Sequence, residues 1–234
     1  MDAVVMAAGE GSRLRPLTEL WPKPVLPIDG RPVVATLLRE LAAAGIRRVF
    51  VVTGHLAEQV EDLVGDGSGF GLEVRFVRQL GVLGSADTVV RALAAGAKPP
   101  LLVTAADTVY SPGDVGRFSE AFAASGAAGA IAGRRDPPPV PAHRDGLRVV
   151  NGLVEKVVDD DPANQLGSAP LWALGAELLP LLDGLPGPPF QLADVFARAL
   201  ELKHAIAGIE IGKTRDLTFP VDLLKENFPY LRQE

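Results

Sequence analysis

Residues 1–24 read MDAVVMAAGEGSRLRPLTELWPKP, and this stretch predicts how the fold begins. Residues 3–8 are a short apolar run that ends at Gly9, a pattern typical of a buried strand that leads into a glycine-rich loop. Gly9 and Gly11 would let main-chain N–H groups come close to a phosphate group. The stretch therefore predicts a strand followed by a loop that can bind phosphate.

The charges in this loop separate it from two common phosphate-binding motifs. A dinucleotide-binding fingerprint needs a third glycine where Leu14 stands, and the Gly-Lys-Ser/Thr of a P-loop is absent. Arg13, Arg15 and Lys23 instead supply side chains that bind phosphate oxygens. A structural glycine turn with solvated basic residues fits the same sequence. Chemistry alone therefore leaves two interpretations open, a phosphate-binding loop and a structural turn.

The rest of the first half alternates between predicted strands and helices. Strands are predicted at residues 3–8, 48–53, 72–77 and 101–106, and helices at residues 32–44, 57–64, 86–95 and 114–124. Such alternation indicates βαβ units, a mostly parallel sheet and helices on both of its faces. In sheets of this kind, ligands bind at the carboxyl ends of the strands.

The second half has a different texture after Gly126. Residues 134–143 contain four prolines and predict an extended loop. Asn151-Gly152 lies between two apolar segments and predicts a β-hairpin, with strands at residues 147–150 and 153–158. A helix at residues 192–202, a strand at 205–211 and a last helix at 217–227, broken by Pro220, complete the predicted elements. We expect this half to form an antiparallel insertion beside the first sheet.

Composition excludes several classes of function. The 234 residues carry a formal net charge of −6, whereas proteins that bind nucleic acid usually carry a basic excess, so no polynucleotide partner is expected. The sequence has no cysteine, which excludes disulfides and thiolate chemistry. Because no apolar run reaches about 18 residues, we expect no membrane anchor and a cytoplasmic protein.

A longer pattern around the loop points to one family. Residues 7–32, AAGEGSRLRPLTELWPKPVLPIDGRP, resemble the signature of the sugar-phosphate nucleotidyltransferases. The family pattern G-x-G-x-R-x-x-P-x-T…P-K-P is matched at Gly9, Gly11, Arg13, Pro16, Thr18, Pro22, Lys23 and Pro24. The resemblance implies an enzyme in which a sugar-1-phosphate oxygen attacks the α-phosphorus of a nucleoside triphosphate and pyrophosphate is released.

The resemblance also implies roles for the residues of the loop. Arg13 is implied to hold the triphosphate and stabilise the departing pyrophosphate, and Lys23 to neutralise charge at the α-phosphate. These roles agree with the chemistry, because phosphoryl-type transfer depends on positioning and charge stabilisation. Nucleotide binding is further implied for Ala8, Gly9, Gly11 and Ser12.

Two aspartates match the metal ligands of the family. Asp107 follows the predicted strand at residues 101–106, although this chain has Ala106 where the family usually has glycine. Asp216 matches the first position of a terminal D-x-x-x-P-x-D-L-L…N segment, in which Asp222 is expected to cap or orient the last helix. A plain helix cap fits either aspartate as well. Together they are implied to hold one Mg²⁺, a cofactor that prefers oxygen ligands.

A third match concerns the base of the nucleotide. Residues 79–87 read QLGVLGSAD and resemble the Gln, spacer and G-T-A-D-A of the family, so Gln79, Gly84 and Ser85 are implied to bind the nucleotide. Because a Gln amide both donates and accepts, UTP or dTTP is favoured and adenine is not excluded. An edge residue followed by a turn at a helix start is the alternative for Gln79.

The sugar side matches the family less well. Glu155-Lys156 resembles the family's E-K-P, and Asn164 a sugar-side Asn, so these three residues are implied to bind the sugar phosphate. A solvated strand face is the alternative for the Glu–Lys pair. The sequence departs from the family at Ala169, Leu171 and Gln191.

The expected architecture is a single domain over residues 1–234. It is an α/β fold of the Rossmann-like type, three α/β/α layers around a mostly parallel mixed sheet with a smaller antiparallel insertion on the sugar side. Residues 1–126 would form the nucleotide-binding half, 127–211 the sugar-phosphate-binding half, and 212–234 the segment with the second metal ligand and the final helix. No appended hexapeptide-repeat or lid domain is expected, and the protein could be a monomer or a homo-oligomer.

Two other functions stay open at this point. The sugar-side departures also suit a cytidylyltransferase that acts on an alcohol phosphate such as phosphocholine or inositol phosphate. A domain that senses nucleotides or sugar phosphates without turnover is the third possibility.

Overall fold

The computed structural model describes residues 1–81, 83–136, 140–141 and 144–228. The strands in these residues are β1 Asp2–Ala7, β2 Pro27–Ile28, β3 Arg31–Pro32, β4 Arg48–Thr53, β5 Glu73–Arg78, β6 Leu101–Ala105, β7 Thr108–Val109, β8 Gly129–Arg135, β9 Gly146–Val150, β10 Leu153–Asp159, β11 Leu166–Leu174, β12 Ile206–Ile211 and β13 Arg215–Asp216. The α-helices are α1 Val33–Ala43, α2 Ala57–Val64, α3 Ser85–Ala94, α4 Asp114–Ser125, α5 Leu192–Glu201 and α6 Pro220–Asn227.

One mixed sheet organises the described part of the chain. Its strand order is β5-β4-β1-β6-β11-β8-β12-β10-β9. β1 runs parallel to both β4 and β6, whereas β11 runs antiparallel to its neighbours β6 and β8. Because β11 separates β6 from β8, β8 and its parallel partner β12 run in the direction of β1. The carboxyl ends of seven of the nine strands, all except β10 and β11, therefore lie at the same edge of the sheet.

Helices cover both faces of this sheet, because the strand side chains alternate in direction. Val5 of β1 packs in the same apolar cluster as α1, α2 and α4. Its neighbour Val4 packs in the opposite cluster with α3 and α5. Phe118 of α4 and Phe196 of α5 are each 0% exposed, and truncating either to alanine would cost about 3–5 kcal/mol.

The predicted elements of the first half are confirmed, with bounds that shift by one or two residues. The prediction of an antiparallel insertion beside the sheet is wrong, because β11 lies between β6 and β8 inside it. Neither β8 nor β11 was predicted. Pro170 explains the omission of β11, since a proline normally argues against a central strand. Here it lies where the register with β8 shifts between Ser168 and Trp172, so its missing N–H breaks no regular ladder.

The β9–β10 hairpin and the last helix were both predicted, and the structure shows how each is formed. The hairpin between β9 and β10 is confirmed, with Asn151 at φ 51° and Gly152 at φ 78° in its turn. Pro220 begins α6 rather than breaking a helix, because the first helical position needs no N–H donor. Asp222 caps this helix as expected, since its carboxylate accepts the Phe219 N–H at 2.7 Å.

Of the Pro-rich segment 134–143, residues 137–139 and 142–143 lie outside the described residues, and residues 134–135 belong to β8. No helix in the described ranges is both long and apolar enough to cross a bilayer.

Candidate active site

A cavity of about 540 Å³ opens at the carboxyl edge of β1 and β6. It gathers all the residues that the sequence predicted for the nucleotide and the metal. These are Ala8, Gly9, Gly11, Ser12, Arg13, Lys23, Gln79, Gly84, Ser85, Asp107 and Asp216. Residues up to 208 positions apart in sequence thus line one space, although their individual roles stay predictions.

The glycine-rich loop is held in shape by its own main chain and by Thr18. Gly11 has φ 62°, and a Cβ added there would lie 2.9 Å from Cγ2 of Thr18. The Thr18 hydroxyl donates to the Gly11 carbonyl at 2.9 Å, and the Leu14 N–H donates to the same carbonyl at 2.8 Å. Both bonds are accepted by the Gly11 carbonyl. They hold the main chain of the loop in this conformation before a ligand binds.

His55 anchors this loop to the end of β4. Its Nε2 lies 2.6 Å from the Thr18 carbonyl oxygen, so Nε2 carries the proton and donates in this contact. At Gly54, an added Cβ would lie 2.8 Å from the Ala8 carbonyl oxygen. No motif in the sequence marks His55 for this anchoring role.

The cations of the loop differ in where they lie. Arg13 is exposed and lines the cavity, whereas Arg15 does not line it and pairs at 3.3 Å with Glu10, which lies at the cavity wall. The Lys23 ammonium contacts the Asp107 carboxylate inside the cavity. The site therefore presents two cations, Arg13 and Lys23, with Lys23 already beside one of the predicted metal ligands.

A short two-stranded ribbon brings the two aspartates together. β13 pairs antiparallel with β7, so that Asp216 stands opposite Thr108, the residue next to Asp107. Oδ2 of Asp216 accepts the Thr218 hydroxyl at 2.9 Å. Arg134, at the end of β8, donates to the carbonyl and hydroxyl oxygens of Thr214 at 2.8 and 2.7 Å. Arg134 thus fixes the segment that leads into Asp216, a contact that the sequence did not predict.

The donor set suits a hard divalent cation that takes part of its shell from a substrate. Within the described residues no group of three or more His, Cys, Asp or Glu could hold a metal ion. Asp107 and Asp216 offer carboxylate oxygens to one cavity, and Mg²⁺ prefers oxygen ligands. Phosphate oxygens and water commonly complete its octahedral coordination.

The wall of the cavity near Gln79 is fastened to the start of α5. Gly84 has φ 95°, and an added Cβ would lie only 2.2 Å from the Phe190 carbonyl oxygen. That carbonyl accepts the Ala86 N–H at 3.0 Å. The Ser85 hydroxyl donates to Oε1 of Gln191 at 3.1 Å and accepts the Leu192 N–H at 2.8 Å. Ser85 therefore caps α5, a helix more than a hundred residues further along the chain.

A second cavity, of about 250 Å³, lies on the other side of Ser85, which lines both spaces. Its polar lining includes Asp145, Ser168 and Gln191, and Trp172 adds an aromatic surface. Two of the sequence departures, Ala169 and Leu171, pack instead in the apolar cluster on the opposite face of the sheet.

The residues predicted to bind the sugar phosphate are not brought to either cavity in the described part of the chain. Lys156 pairs with Asp160 at 2.6 Å and with Asp159 at 3.3 Å, and hydrogen bonds to these two carboxylates raise the pKa of Lys156. Asn164 donates to Asp159 at 2.9 Å and lines a separate space of about 360 Å³. Glu155 is exposed on β10. The buried carboxylate of Asp159 thus holds two of the three predicted residues away.

The chain is similar in sequence to known nucleotidyltransferases. The family model described as "Nucleotidyl transferase" matches residues 2–141. The low-salt glycan biosynthesis nucleotidyltransferase of Haloferax volcanii is 27% identical over 97% of this chain and 65% of its own length. The N-acetylmuramate alpha-1-phosphate uridylyltransferase of Neisseria meningitidis is 36% identical over 47% of this chain and 48% of its own length. The chain thus spans less than two thirds of these relatives.

The fold itself has solved counterparts. A crystal structure of a putative glucose-1-phosphate thymidylyltransferase from Bacillus anthracis superposes with a TM-score of 0.85 at 18% identity, covering 100% of this chain and 96% of that one. At this identity the likeness concerns the α/β fold with its mixed central sheet.

Proposed function

The chain belongs to the nucleotidyl transferase family, and on that premise we propose that it joins a nucleoside triphosphate to a sugar-1-phosphate and releases pyrophosphate. One observation carries the proposal. Arg13, Lys23, Asp107 and Asp216 line the same cavity beside a rigid glycine-rich loop. This reaction requires fixed positive and negative side chains around the space that the phosphates occupy.

In the proposed reaction an oxygen of the acceptor phosphate attacks the α-phosphorus. The bond between the α-phosphorus and the oxygen that bridges to the β-phosphate breaks, and pyrophosphate leaves with that electron pair. Arg13 binds the outer phosphates and stabilises the charge on the leaving group. Lys23 lies deeper in the cavity and neutralises the charge that builds up at the α-phosphate, where a preorganised cation is most effective.

Asp107 and Asp216 would hold the Mg²⁺ ion of this reaction. When bound, the ion neutralises phosphate oxygens and orients them for in-line displacement. The residues of the chain keep the two carboxylates in place, since the β7–β13 pairing sets their spacing and Thr218 fixes the Asp216 rotamer. Lys23 contacts Asp107 and lines the same cavity, so its ammonium lies beside the proposed phosphate site.

The cavity of about 250 Å³ is the proposed site of the sugar, and we call it the acceptor cavity. It adjoins at Ser85 the cavity of about 540 Å³, which we call the nucleotide cavity, so a phosphate could reach the α-phosphorus from it. Asp145, Ser168 and Gln191 offer donors and acceptors for hydroxyl groups, and Trp172 offers an apolar surface for a sugar ring face. Glu155, Lys156 and Asn164 have no part in this proposal.

Pyrophosphate release tests the proposed function. UTP, dTTP, CTP, GTP and ATP are each combined with Mg²⁺ and with glucose-1-phosphate, N-acetylmuramate α-1-phosphate, phosphocholine or inositol phosphate. We expect turnover with UTP or dTTP and a sugar-1-phosphate. Turnover with CTP and an alcohol phosphate alone would establish the cytidylyltransferase instead. Stabilisation by a nucleotide without any product would establish a sensing domain.

A further inference from the structure

The Gln79 side chain is held by a set of neighbours on α3. The residue follows β5, is only 4% exposed and lines the nucleotide cavity. Its Nε2 donates to Oδ2 of Asp87 at 2.7 Å and to the Gly84 carbonyl at 3.4 Å. The Thr88 hydroxyl lies 3.3 Å from Oε1 of Gln79. Asp87 in turn accepts a hydrogen bond from Nε of Arg91 at 2.5 Å. Every polar atom of the amide therefore has a partner on one helix.

The chemistry of Asp87 decides which way round the amide lies. An ionised carboxylate only accepts hydrogen bonds, so it must face the NH₂ group of Gln79 and not its carbonyl oxygen. The pairing of Asp87 with Arg91 holds that carboxylate in place. The carbonyl oxygen of Gln79 consequently points away from Asp87.

The carbonyl oxygen of Gln79 has at least one lone pair without a hydrogen-bond donor among the described residues. It has two lone pairs, and the single proton of the Thr88 hydroxyl occupies at most one of them. That hydroxyl also lies 3.3 Å from the Gly84 carbonyl, so both lone pairs are open if its proton turns there. In either case Oε1 offers an acceptor, while the NH₂ group has both hydrogens committed to Asp87 and Gly84.

We propose that Asp87 is a positioning residue that fixes the Gln79 amide with its carbonyl oxygen toward the base, and so selects bases with an N–H at ring position 3. This inference rests on the proposed function to the extent that it places a nucleoside triphosphate in the cavity. Uracil and thymine carry N3–H and donate to Oε1. Cytosine presents an unprotonated N3, which would place two acceptors against each other. The contact therefore separates UTP and dTTP from CTP.

Nucleotide binding without an acceptor tests the inference independently of turnover. Dissociation constants for UTP and CTP are measured with Mg²⁺ by calorimetry. We expect the wild-type protein to bind UTP at least about tenfold more tightly than CTP, because a mismatch leaves buried acceptors without donors. In Asp87→Asn the residue can accept or donate, so the amide of Gln79 can lie either way. The ratio should then fall to about threefold or less.

A matched variant controls for charge at a helix start. Asp194 is the third residue of α5, as Asp87 is of α3, and it lines neither cavity in the described part of the chain. Asp194→Asn removes the same charge from the same helical position, where a carboxylate interacts favourably with the helix dipole. We expect Asp194→Asn to keep the wild-type ratio of the two dissociation constants.

A double substitution separates positioning from a direct contact. If Asp87 acts through Gln79, then Gln79→Leu abolishes the preference for UTP, and adding Asp87→Asn to it leaves the UTP/CTP ratio unchanged. A further loss of preference in the double variant would show that Asp87 acts on the base by another route and would overturn the inference. Thermal unfolding confirms that each variant is folded.

A chemical probe keeps the test decisive if Asp87→Asn does not fold. UTP methylated at N3 lacks the donor, so the wild-type protein should bind it at least about tenfold more weakly than UTP. Equal binding of the two, a wild-type preference for CTP, or an unchanged ratio in folded Asp87→Asn would each overturn the inference. A UTP preference that Asp87→Asn removes, in a protein that releases no pyrophosphate, would support the inference and refute the proposed function.

Discussion

The nucleotide cavity and the acceptor cavity share one wall but are built differently. About half of the lining of the nucleotide cavity comes from residues 6–24, a single segment whose turns are fixed by bonds within the segment and by His55. The acceptor cavity takes its lining from β8, β9, β10, β11 and the start of α5. A site built around one segment shows part of its chemistry in a local motif, whereas a site assembled from distant strands shows its chemistry only when the chain is folded.

The largest expected effect concerns the cations of the nucleotide cavity. Arg13→Ala and Lys23→Ala should each lower kcat by at least about 10², the scale of losing one preorganised charge contact in a phosphoryl-type transfer. Steady-state kinetics with saturating UTP and acceptor measure the loss.

Arg15→Ala is the matched control for these two variants. Arg15 belongs to the same loop, but its partner is the exposed Glu10 and it does not line the cavity. We expect kcat within about twofold of wild type, since exposed ion pairs contribute about 0–1 kcal/mol. Equal losses from Arg13→Ala and Arg15→Ala would contradict the division between the two arginines.

The next effect concerns the shared wall. Gly84→Ala would push a Cβ to 2.2 Å from the Phe190 carbonyl, whereas Gly81→Ala meets nothing within 4 Å, and both glycines have φ near 90°. We expect Gly84→Ala to lose about 1–3 kcal/mol more stability than Gly81→Ala, because it adds a clash to the same backbone strain. Chemical denaturation measures the difference in the free energy of unfolding. Similar losses in the two variants would show that the contact between Gly84 and Phe190 can widen at no cost.

A smaller effect should be confined to the acceptor. Gln191 lines the acceptor cavity and accepts the Ser85 hydroxyl. Gln191→Leu should raise the KM for the acceptor by roughly tenfold and leave the KM for the nucleotide within about twofold, since a lost polar contact costs about 1–2 kcal/mol. Gln191→Glu still accepts that hydrogen bond and should restore most of the affinity. A rise in the nucleotide KM alone would place Gln191 on the other side of the wall.

The smallest effect is expected at Lys156, where the family resemblance and the structure disagree. Its ammonium pairs with Asp159 and Asp160 and lies outside both cavities. Lys156→Ala should therefore change kcat and the acceptor KM by no more than about threefold, because the side chain lines neither cavity and an exposed ion pair is screened by solvent. A loss of about 10² in kcat would show that Lys156 leaves its aspartates and binds the acceptor phosphate.

These contrasts also explain how much could be predicted from the sequence. Strands and helices of the first half follow from apolar runs closed by glycine, and the loop with Arg13 and Lys23 follows from its spacing. The β7–β13 pairing that brings Asp107 near Asp216 joins segments about a hundred residues apart, so only the family pattern suggested that the two aspartates lie together. The pairing itself could not be predicted, because each of its strands has two residues and is too short to show a periodic pattern.

The acceptor side was harder to predict for related reasons. β11 carries Pro170 and small residues, which argue against a strand in isolation. The acidic run at 159–161 gave no sign that Asp159 is buried and binds both Lys156 and Asn164. The family resemblance implied that Ser85 binds the nucleotide, and its role as the cap of α5 depends on a contact across 107 positions.

The most direct test of the account follows the atoms of the reaction. The acceptor sugar-1-phosphate is labelled with oxygen-18 in its non-bridging phosphate oxygens and incubated with UTP, Mg²⁺ and the protein. Mass spectrometry should find all of the label in a nucleotide-sugar and none in the pyrophosphate, because the acceptor oxygen attacks the α-phosphorus. Label in free phosphate or pyrophosphate, or no nucleotide-sugar from folded protein with any of the five triphosphates, would contradict the claim that this cavity transfers a nucleotidyl group.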